Sequence, residues 1–226
     1  MANNRNSASS RTYNFADWFG WARKSGLEAN SPKRLKSGVS TVGVLALQGD
    51  FQKHIDSVAA CNRVAVEVRT PSDLESCSSL IIPGGESTTL GILLKKCGLD
   101  NAIPERVHSG MPIWGTCMGM ILLASRVEGA KQFQFGLLDV TVRRNAFGRQ
   151  VFSFESSVKL SLFEEPIEAV FIRAPIVTEY GDTVDILGEL DGKIIAVRQG
   201  HIWGTSFHPE LTEDLRLHKA FIETST

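Results

Sequence analysis

Residues 41–69 read TVGVLALQGDFQKHIDSVAACNRVAVEVR, and this stretch holds three segments of different period. TVGVLALQG is a continuous apolar run closed by Gly49, the pattern of a strand covered on both faces. FQKHIDSVAACN follows with Phe51, Ile55, Val58 and Ala59 on one helical face, and VAVEVR returns to a short β-branched run. A buried strand, a helix and a second buried strand make a parallel pair with the helix as its crossover. The alternation continues outward. SSLIIPGG reads as a third strand broken at Pro83-Gly84-Gly85, ESTTLGILLKKCG as a helix closed by Gly98, MPIWG as a fourth strand and CMGMILLASRV as the next helix. This predicts an α/β fold, an open and mostly parallel sheet with helices on both faces. Beyond Gly136, LLDVTVRR, AVFIRAP, TVDILGEL, KIIAVRQG and HIWGTSF read as strands joined by tight turns such as Asp191-Gly192, so the C-terminal half adds antiparallel hairpins. TEDLRLHKAFIE reads as a closing helix with Thr212 at its N-cap.

The chain has 226 residues, 42% of them hydrophobic and 22% charged, enough to bury the core of one globular domain. Its first forty residues differ from the rest. They carry Arg5, Arg11, Arg23, Lys24, Lys33, Arg34 and Lys36 against Asp17 and Glu28, a net of +5, which leaves −6 for the remainder of a chain whose formal charge is −1. We therefore expect a basic, polar extension over 1–40 and a catalytic-sized domain over 41–226. Within the extension Phe15, Trp18, Phe19 and Ala22 recur at helical spacing. A disordered or weakly helical tail, an organelle-targeting or partner-docking helix, and a stretch extraneous to the domain all fit that composition. The near-neutral total offers no electrostatic case for nucleic acid or an anionic membrane, and no apolar run is long enough to span a bilayer. With no signal-peptide pattern at the start, the expected location is the cytoplasm. Cys61, Cys77, Cys97 and Cys117 are well separated and form no C-x-x-C pair, so neither a zinc site nor a disulfide framework is expected, and no metal or cofactor is called for.

Cys117 stands apart from the other three. It lies in IWGTCMGMILLA, 113–124, between a strand and a helix, and GTCMG has the G-x-nucleophile-x-G spacing of a nucleophile elbow, with Gly115 and Gly119 relieving the crowding of a sharp turn. In open α/β sheets ligands bind beyond the carboxyl ends of the strands, and the unpaired N–H groups of a helix start stabilise a thiolate there. A thiolate needs a base, and the base an orienting group. Of the five histidines, His54, His108, His201 and His218 read as structural or solvated. His208 ends an apolar strand and opens His208-Pro209-Glu210, where proline favours extended backbone and places residues two apart on one side, so Glu210 can hold one tautomer of His208. An oxyanion hole would draw one donor from the backbone N–H of Met118 and another from Gly84-Gly85.

GVLALQGDFQKHI, LIIPGGESTTL, PIWGTCMGMILLA, RRNAFGRQ, VFIRAP and AVRQG with TSFHPELTEDLRLHKAF together resemble the PdxT/SNO family, the glutaminase subunit of pyridoxal 5'-phosphate synthase. The resemblance runs from about Val42 to the C-terminus. Cysteine, histidine and glutamate alone would indicate only the wider class I glutamine amidotransferases; PGGEST, RNAFGRQ and FIRAP narrow it. The resemblance implies a flavodoxin-like, class I amidotransferase fold. It also implies that Cys117 attacks the side-chain amide of L-glutamine, that His208 protonates the departing ammonia, and that the glutamyl thioester is hydrolysed to glutamate. Gly85, Glu86 and Ser87 match the family's glutamine-binding loop, and Arg144, Ile172 and Arg173 its other glutamine contacts. The implied partner is a barrel-shaped synthase subunit in a hetero-oligomer that uses the ammonia to build pyridoxal 5'-phosphate. Arg143 and Arg149 read as surface or partner-contact charges, and Gln48 as a structural amide or as a contact to the partner or to the oxyanion loop. Met118 departs from the alanine usual in similar proteins. Three other readings stay open: a glutaminase serving a different amidotransferase, a cysteine hydrolase or peptidase, and a binding protein with a relict site.

Overall fold

A computed structural model describes residues 40–129, 131–147 and 153–224, with only the backbone described at Ser87 and Thr88. The helix read at Phe15–Ala22 and the charge at Arg149 lie outside the described residues, as does all of the extension before Ser40. In chain order the first half contains β1 (Thr41–Leu45), α1 (Phe51–Ala60), β2 (Val64–Val68), α2 (Pro71–Glu75), β3 (Ser79–Ile82), α3 (Ser87–Cys97), α4 (Leu99–His108), β4 (Ile113–Thr116), α5 (Met118–Leu123) and β5 (Ala124–Val127). The second half contains β6 (Leu138–Arg143), β7 (Ser153–Val158), β8 (Ile167–Ile172), β9 (Ile176–Tyr180), β10 (Asp185–Leu190), β11 (Lys193–Gln199), β12 (Ile202–Thr205) and α6 (Arg216–Glu223).

The strands form one large sheet in the order β2-β1-β3-β4-β12-β11-β9-β6-β5, with β10 paired to β11, and a separate hairpin of β7 and β8. The pairs β2-β1, β1-β3, β3-β4 and β4-β12 are parallel, whereas β12-β11, β11-β9 and β9-β6 are antiparallel. The β10–β11 hairpin turns at Asp191 and Gly192, both with positive φ, the conformation that a tight hairpin turn demands.

Alternate residues of the parallel strands face two apolar layers, as the two-residue period of a strand requires. Leu45, Leu80, Ile82 and Ile113 pack with α3, α4 and α5 through Leu90, Leu94, Ile103 and Leu122. Val42, Val44, Ile81, Trp114 and Trp203 pack on the opposite face with Val58 of α1, with Leu217 and Phe221 of α6, and with the inner side of the β7–β8 hairpin. Both faces are covered, which is why these strands read as unbroken apolar runs.

Three local expectations are corrected. The helix expected through Val127 stops at Leu123, because Ala124–Val127 leaves it to pair in parallel with β6 and exchange helical hydrogen bonds for sheet ones. Thr212 does not cap the last helix, which starts at Arg216; its hydroxyl donates to the Pro209 carbonyl and accepts from the Asp214 N–H, closing the preceding turn instead. The buried face of α1 is centred on His54, Ser57 and Val58, with Ala59 exposed, so the face is turned toward a polar histidine rather than along the apolar residues alone.

Candidate active site

The carboxyl ends of β1, β3, β4 and β12 lie side by side, and each delivers one piece of a common site: Gln48-Gly49, Gly84-Gly85, Cys117 and His208. At the end of β4 the backbone turns sharply, with Cys117 at φ 50° and ψ −105° and its N–H donating to the Thr205 carbonyl of β12 at 2.7 Å. A non-glycine residue in this region of backbone space costs on the order of 1–3 kcal/mol and persists only where its surroundings dictate it. Those surroundings are tight. A Cβ on Gly115 would stand 2.3 Å from the Gly119 carbonyl carbon, and one on Gly119 would stand 2.1 Å from the Ile82 carbonyl oxygen. Both glycines are required by close backbone approach, as their spacing around Cys117 predicted.

His208 follows β12 and is anchored by its own N–H, which donates to the Val170 carbonyl of β8 at 2.8 Å. The extended geometry expected across His208-Pro209-Glu210 is replaced by a single 3-10 turn over Pro209–Leu211, since proline at the first position of such a turn has no N–H to lose. The pair forms nonetheless. His208 Nδ1 donates to Glu210 Oε1 at 2.8 Å, with the carboxylate fully buried behind the ring. Burial opposes a charge on His208, but its hydrogen bonds and charge interactions with Cys117 and Glu210 prevail and raise it to about 10. Burial would likewise raise the Glu210 carboxyl, yet the imidazoles of His54 and His208 outweigh it and hold the group below the usual carboxylate range. The Cys117 thiol is oriented on its other side by the Ile172 carbonyl, 3.7 Å from Sγ.

A cavity of about 270 Å³ opens over the sulfur, lined among others by Gly84, Gly85, Glu86, Cys117, Met118, Arg144, Ile172, Arg173 and His208. It is small, at the lower end for a ligand site, and suits a ligand of amino-acid size. Of the catalytic and substrate-binding residues expected from the sequence, Glu210 is not on the cavity wall, and Ser87 is described only as the first residue of α3. The ring of His208 rests directly on Gly84, where a Cβ would stand 2.4 Å from Cε1. Gln48 meets the loop after β3: its side-chain amide donates to the Glu86 carbonyl at 2.6 Å. Arg143 is a surface charge paired with Glu128 at 2.6 Å. Arg144 and Arg173 stand exposed at the cavity mouth, where a guanidinium can grip a carboxylate in two places.

Asp50, Ile121 and Asn145 also line the cavity without having been singled out. A larger omission is His54, read from the sequence as structural or solvated. It is fully buried, and its Nε2 lies 3.2 Å from Glu210 Oε2. His218, also fully buried, stands behind it with Nε2 3.0 Å from His54 Nδ1. The available signal was a histidine on the inward face of each of two amphipathic helices.

Chemically, a thiol at a strained elbow, an imidazole and a buried carboxylate in series make the constellation of nucleophilic acyl transfer. Among the described residues no group of three histidine, cysteine or acidic side chains is disposed to hold a metal ion, and no helix is long and apolar enough to cross a membrane.

The profile of the SNO glutamine amidotransferase family matches residues 44–226. Pyridoxal 5'-phosphate synthase subunit PdxT of Pelotomaculum thermopropionicum is 50% identical over 183 residues, which cover 80% of this chain and 93% of that protein. The protein of the same description from Herpetosiphon aurantiacus is 51% identical over 189 residues, covering 80% and 98%. A crystal structure of a glutamine amidotransferase superposes with a TM-score of 0.78 at 45% identity, over 83% of this chain and 99% of that one. A glutamine amidotransferase of Thermotoga maritima, at 14% identity and a TM-score of 0.53 over 82% of this chain and 90% of that one, shares the fold alone.

Proposed function

The chain belongs to the SNO glutamine amidotransferase family, and on that premise we propose that it hydrolyses L-glutamine to L-glutamate and ammonia and passes the ammonia to a pyridoxal 5'-phosphate synthase subunit. The observation that carries this reading is the elbow: a cysteine held at φ 50°, beside an imidazole raised to about 10 and a buried carboxylate 2.8 Å from that imidazole.

The steps follow from the charges. Cys117 attacks the side-chain carbonyl carbon of glutamine as a thiolate, and the carbonyl oxygen becomes an oxyanion. The Met118 N–H, which opens α5 and has no acceptor within the helix, donates to that oxygen, together with an amide of the Gly84-Gly85 loop. His208, protonated and held by Glu210, gives its proton to the nitrogen as the C–N bond breaks, so ammonia departs and a glutamyl thioester remains. Water then attacks the thioester, His208 takes a proton from it, and the C–S bond breaks to release glutamate and the thiolate. Arg144 and Arg173 bind the α-carboxylate, and the Gly85–Ser87 segment binds the remainder of the amino-acid end.

Ammonia freed into neutral water is largely protonated and no longer nucleophilic, so release is productive only next to an acceptor. We assign that acceptor to a barrel-shaped synthase subunit in a hetero-oligomer, in keeping with the subunit names of the relatives. Four free thiols, one of them the nucleophile, suit a reducing compartment, and we place the reaction in the cytoplasm. Residues 1–40 we treat as an extension outside the glutaminase domain. The test is ammonia release from glutamine by wild type and Cys117→Ala, each with and without a synthase subunit. Turnover by the docked wild type and none by the variant is expected. Equal release by both proteins, or a wild type that gains nothing from the synthase, would overturn the reading or its coupling.

A further inference from the structure

Behind Glu210 the polar chain continues into the protein interior, through two histidines with no role in the steps above. His54 of α1 and His218 of α6 are both wholly inaccessible, 164 residues apart in sequence, and joined Nδ1 to Nε2 at 3.0 Å. Trp114 of β4 packs edge-on against both rings, with centroids 6.0 and 5.1 Å away, so neither imidazole is free to turn. The second nitrogen of His54 faces Glu210 Oε2 at 3.2 Å and the Thr116 hydroxyl at 3.3 Å. The titratable groups around His54 are Glu210 and His208 from the segment after β12, His218 from α6, and Asp50 from the turn before its own helix.

One arrangement of protons fits these contacts at the least cost. If the His54 proton were on Nδ1, the Nε2 lone pair would face a carboxylate oxygen, and the His218 proton would be left on Nδ1, which is buried with no partner. With the proton on Nε2 instead, His54 donates to the Thr116 hydroxyl and keeps the same N–H 3.2 Å from Glu210 Oε2, which has no other partner, His218 donates from its own Nε2 into His54 Nδ1, and the partnerless His218 Nδ1 is a bare lone pair. An unmatched acceptor is the less costly defect. Burial lowers His54 from its ordinary value, against the attraction of Glu210, and pushes His218 down to about 3, which favours the neutral form of both rings and leaves the charge of Glu210 uncancelled.

We propose that His54, its tautomer set by His218, is a positioning residue of the catalytic triad: it presents its Nε2–H to the second oxygen of Glu210, 3.2 Å away and otherwise without a partner, and thereby steadies the carboxylate that orients His208. This rests on the glutaminase reading. Glu210 Oε1 then serves His208 alone, while Oε2, buried and without another partner, has the His54 N–H 3.2 Å away as its nearest polar neighbour. Removing that N–H leaves the buried carboxylate oxygen with no polar neighbour, which raises the Glu210 pKa and loosens the ring it holds.

The experiment has two arms. In the full-length wild type, long-range nitrogen–proton NMR of the histidine rings is expected to show His54 neutral and protonated on Nε2 from about pH 6 to 8; a proton on Nδ1, or a doubly protonated ring, overturns the proposal. In the complex with a synthase subunit, His54→Phe keeps the ring volume and removes the donor, while His54→Gln keeps a side-chain donor near the Nε2 position. We expect His54→Phe to lower kcat on the order of tenfold to a hundredfold, the worth of one hydrogen bond to a charged group. KM for glutamine should change less than about threefold, and the acid limb of the pH profile should move to higher pH. His54→Gln is expected to restore much of kcat and return the acid limb. Unchanged kcat in His54→Phe, or equal losses in both variants with an unmoved acid limb, would show that His54 is only core packing. If His54→Phe does not fold, the tautomer measurement decides alone. A wild type as inert as Cys117→Ala would instead remove the glutaminase reading, leaving the tautomer result to stand separately.

Discussion

Gly84→Ala probes the site with the smallest possible addition. Gly84 takes no positive φ, so alanine is compatible with its backbone, and the only obstacle is the ring of His208. The new Cβ would stand 2.4 Å from Cε1, 3.1 Å from Nδ1 and 3.3 Å from Nε2. Ordinary contact begins near 3.4 Å, so the imidazole must retreat by about 1 Å. Its ring has the cavity of about 270 Å³ on one side to move into, whereas its Nδ1 is tied to Glu210 at 2.8 Å on the other. Retreat therefore stretches the hydrogen bond to Glu210 or turns Nε2 away from the substrate nitrogen. A misplacement of about 1 Å at a reacting group costs on the order of 10²-fold in rate. Because the ring escapes into open space, the stability loss should be modest, about 1 kcal/mol, a shift of about 2–4 °C in Tm for a domain of this size. The assay is steady-state ammonia release with the synthase subunit present, alongside thermal melts of the same preparations. The expected result is a kcat reduced by about two orders of magnitude with a nearly unchanged melt. A variant that keeps kcat within about threefold would refute the claim that Gly84 is glycine to make room for His208. A variant that loses Tm and kcat together would refute the claim that the ring alone gives way.

Gly119→Ala should behave in the opposite way, since its Cβ would meet the Ile82 carbonyl oxygen at 2.1 Å and neither backbone can yield; denaturant melts are expected to show a loss of about 3 kcal/mol or more. Met118→Ala removes a side chain that is 3% exposed but leaves its N–H, the proposed oxyanion donor, in place, so stability should fall by about 2 kcal/mol while kcat stays within a few-fold, read by the same two assays. Stability should also depend on pH through His208. Its folded value of about 10 lies above its ordinary 6.5, so its contribution is complete below 6.5 and is lost as pH rises through 10. Cys117→Ala deletes two of the interactions that raise it, so Tm measured from pH 6 to 10 should fall less steeply in that variant than in wild type; parallel slopes would contradict the Cys117–His208 interaction.

The parallel sheet and the meeting of Cys117, His208 and Glu210 were legible in the chain because each rests on short-range pattern. An apolar strand covered on both faces shows itself in five consecutive residues, the elbow in the five of GTCMG, and the His208–Glu210 pair in three. Even where the local conformation differed, as in the 3-10 turn at Pro209, a separation of two residues kept imidazole and carboxylate in reach. The short α5 was not legible, because MILLASRV suits helix or strand alike and only the pairing of Ala124–Val127 with β6 decides between them. Nor was the role of His54 and His218. On a helical wheel a histidine among apolar residues reads as a packed or solvated ring, and nothing in FQKHID or RLHKAF points to the other. They meet because β4 and β12 are neighbours in the sheet, which brings α1, α6 and the turn carrying Glu210 onto one face around Trp114. Identity and spacing thus determine which groups are able to react, since bonds and turns act over a few residues. Which buried group completes which other is decided by tertiary packing, because a hydrogen bond in a dry interior depends on distance in space and not on distance along the chain.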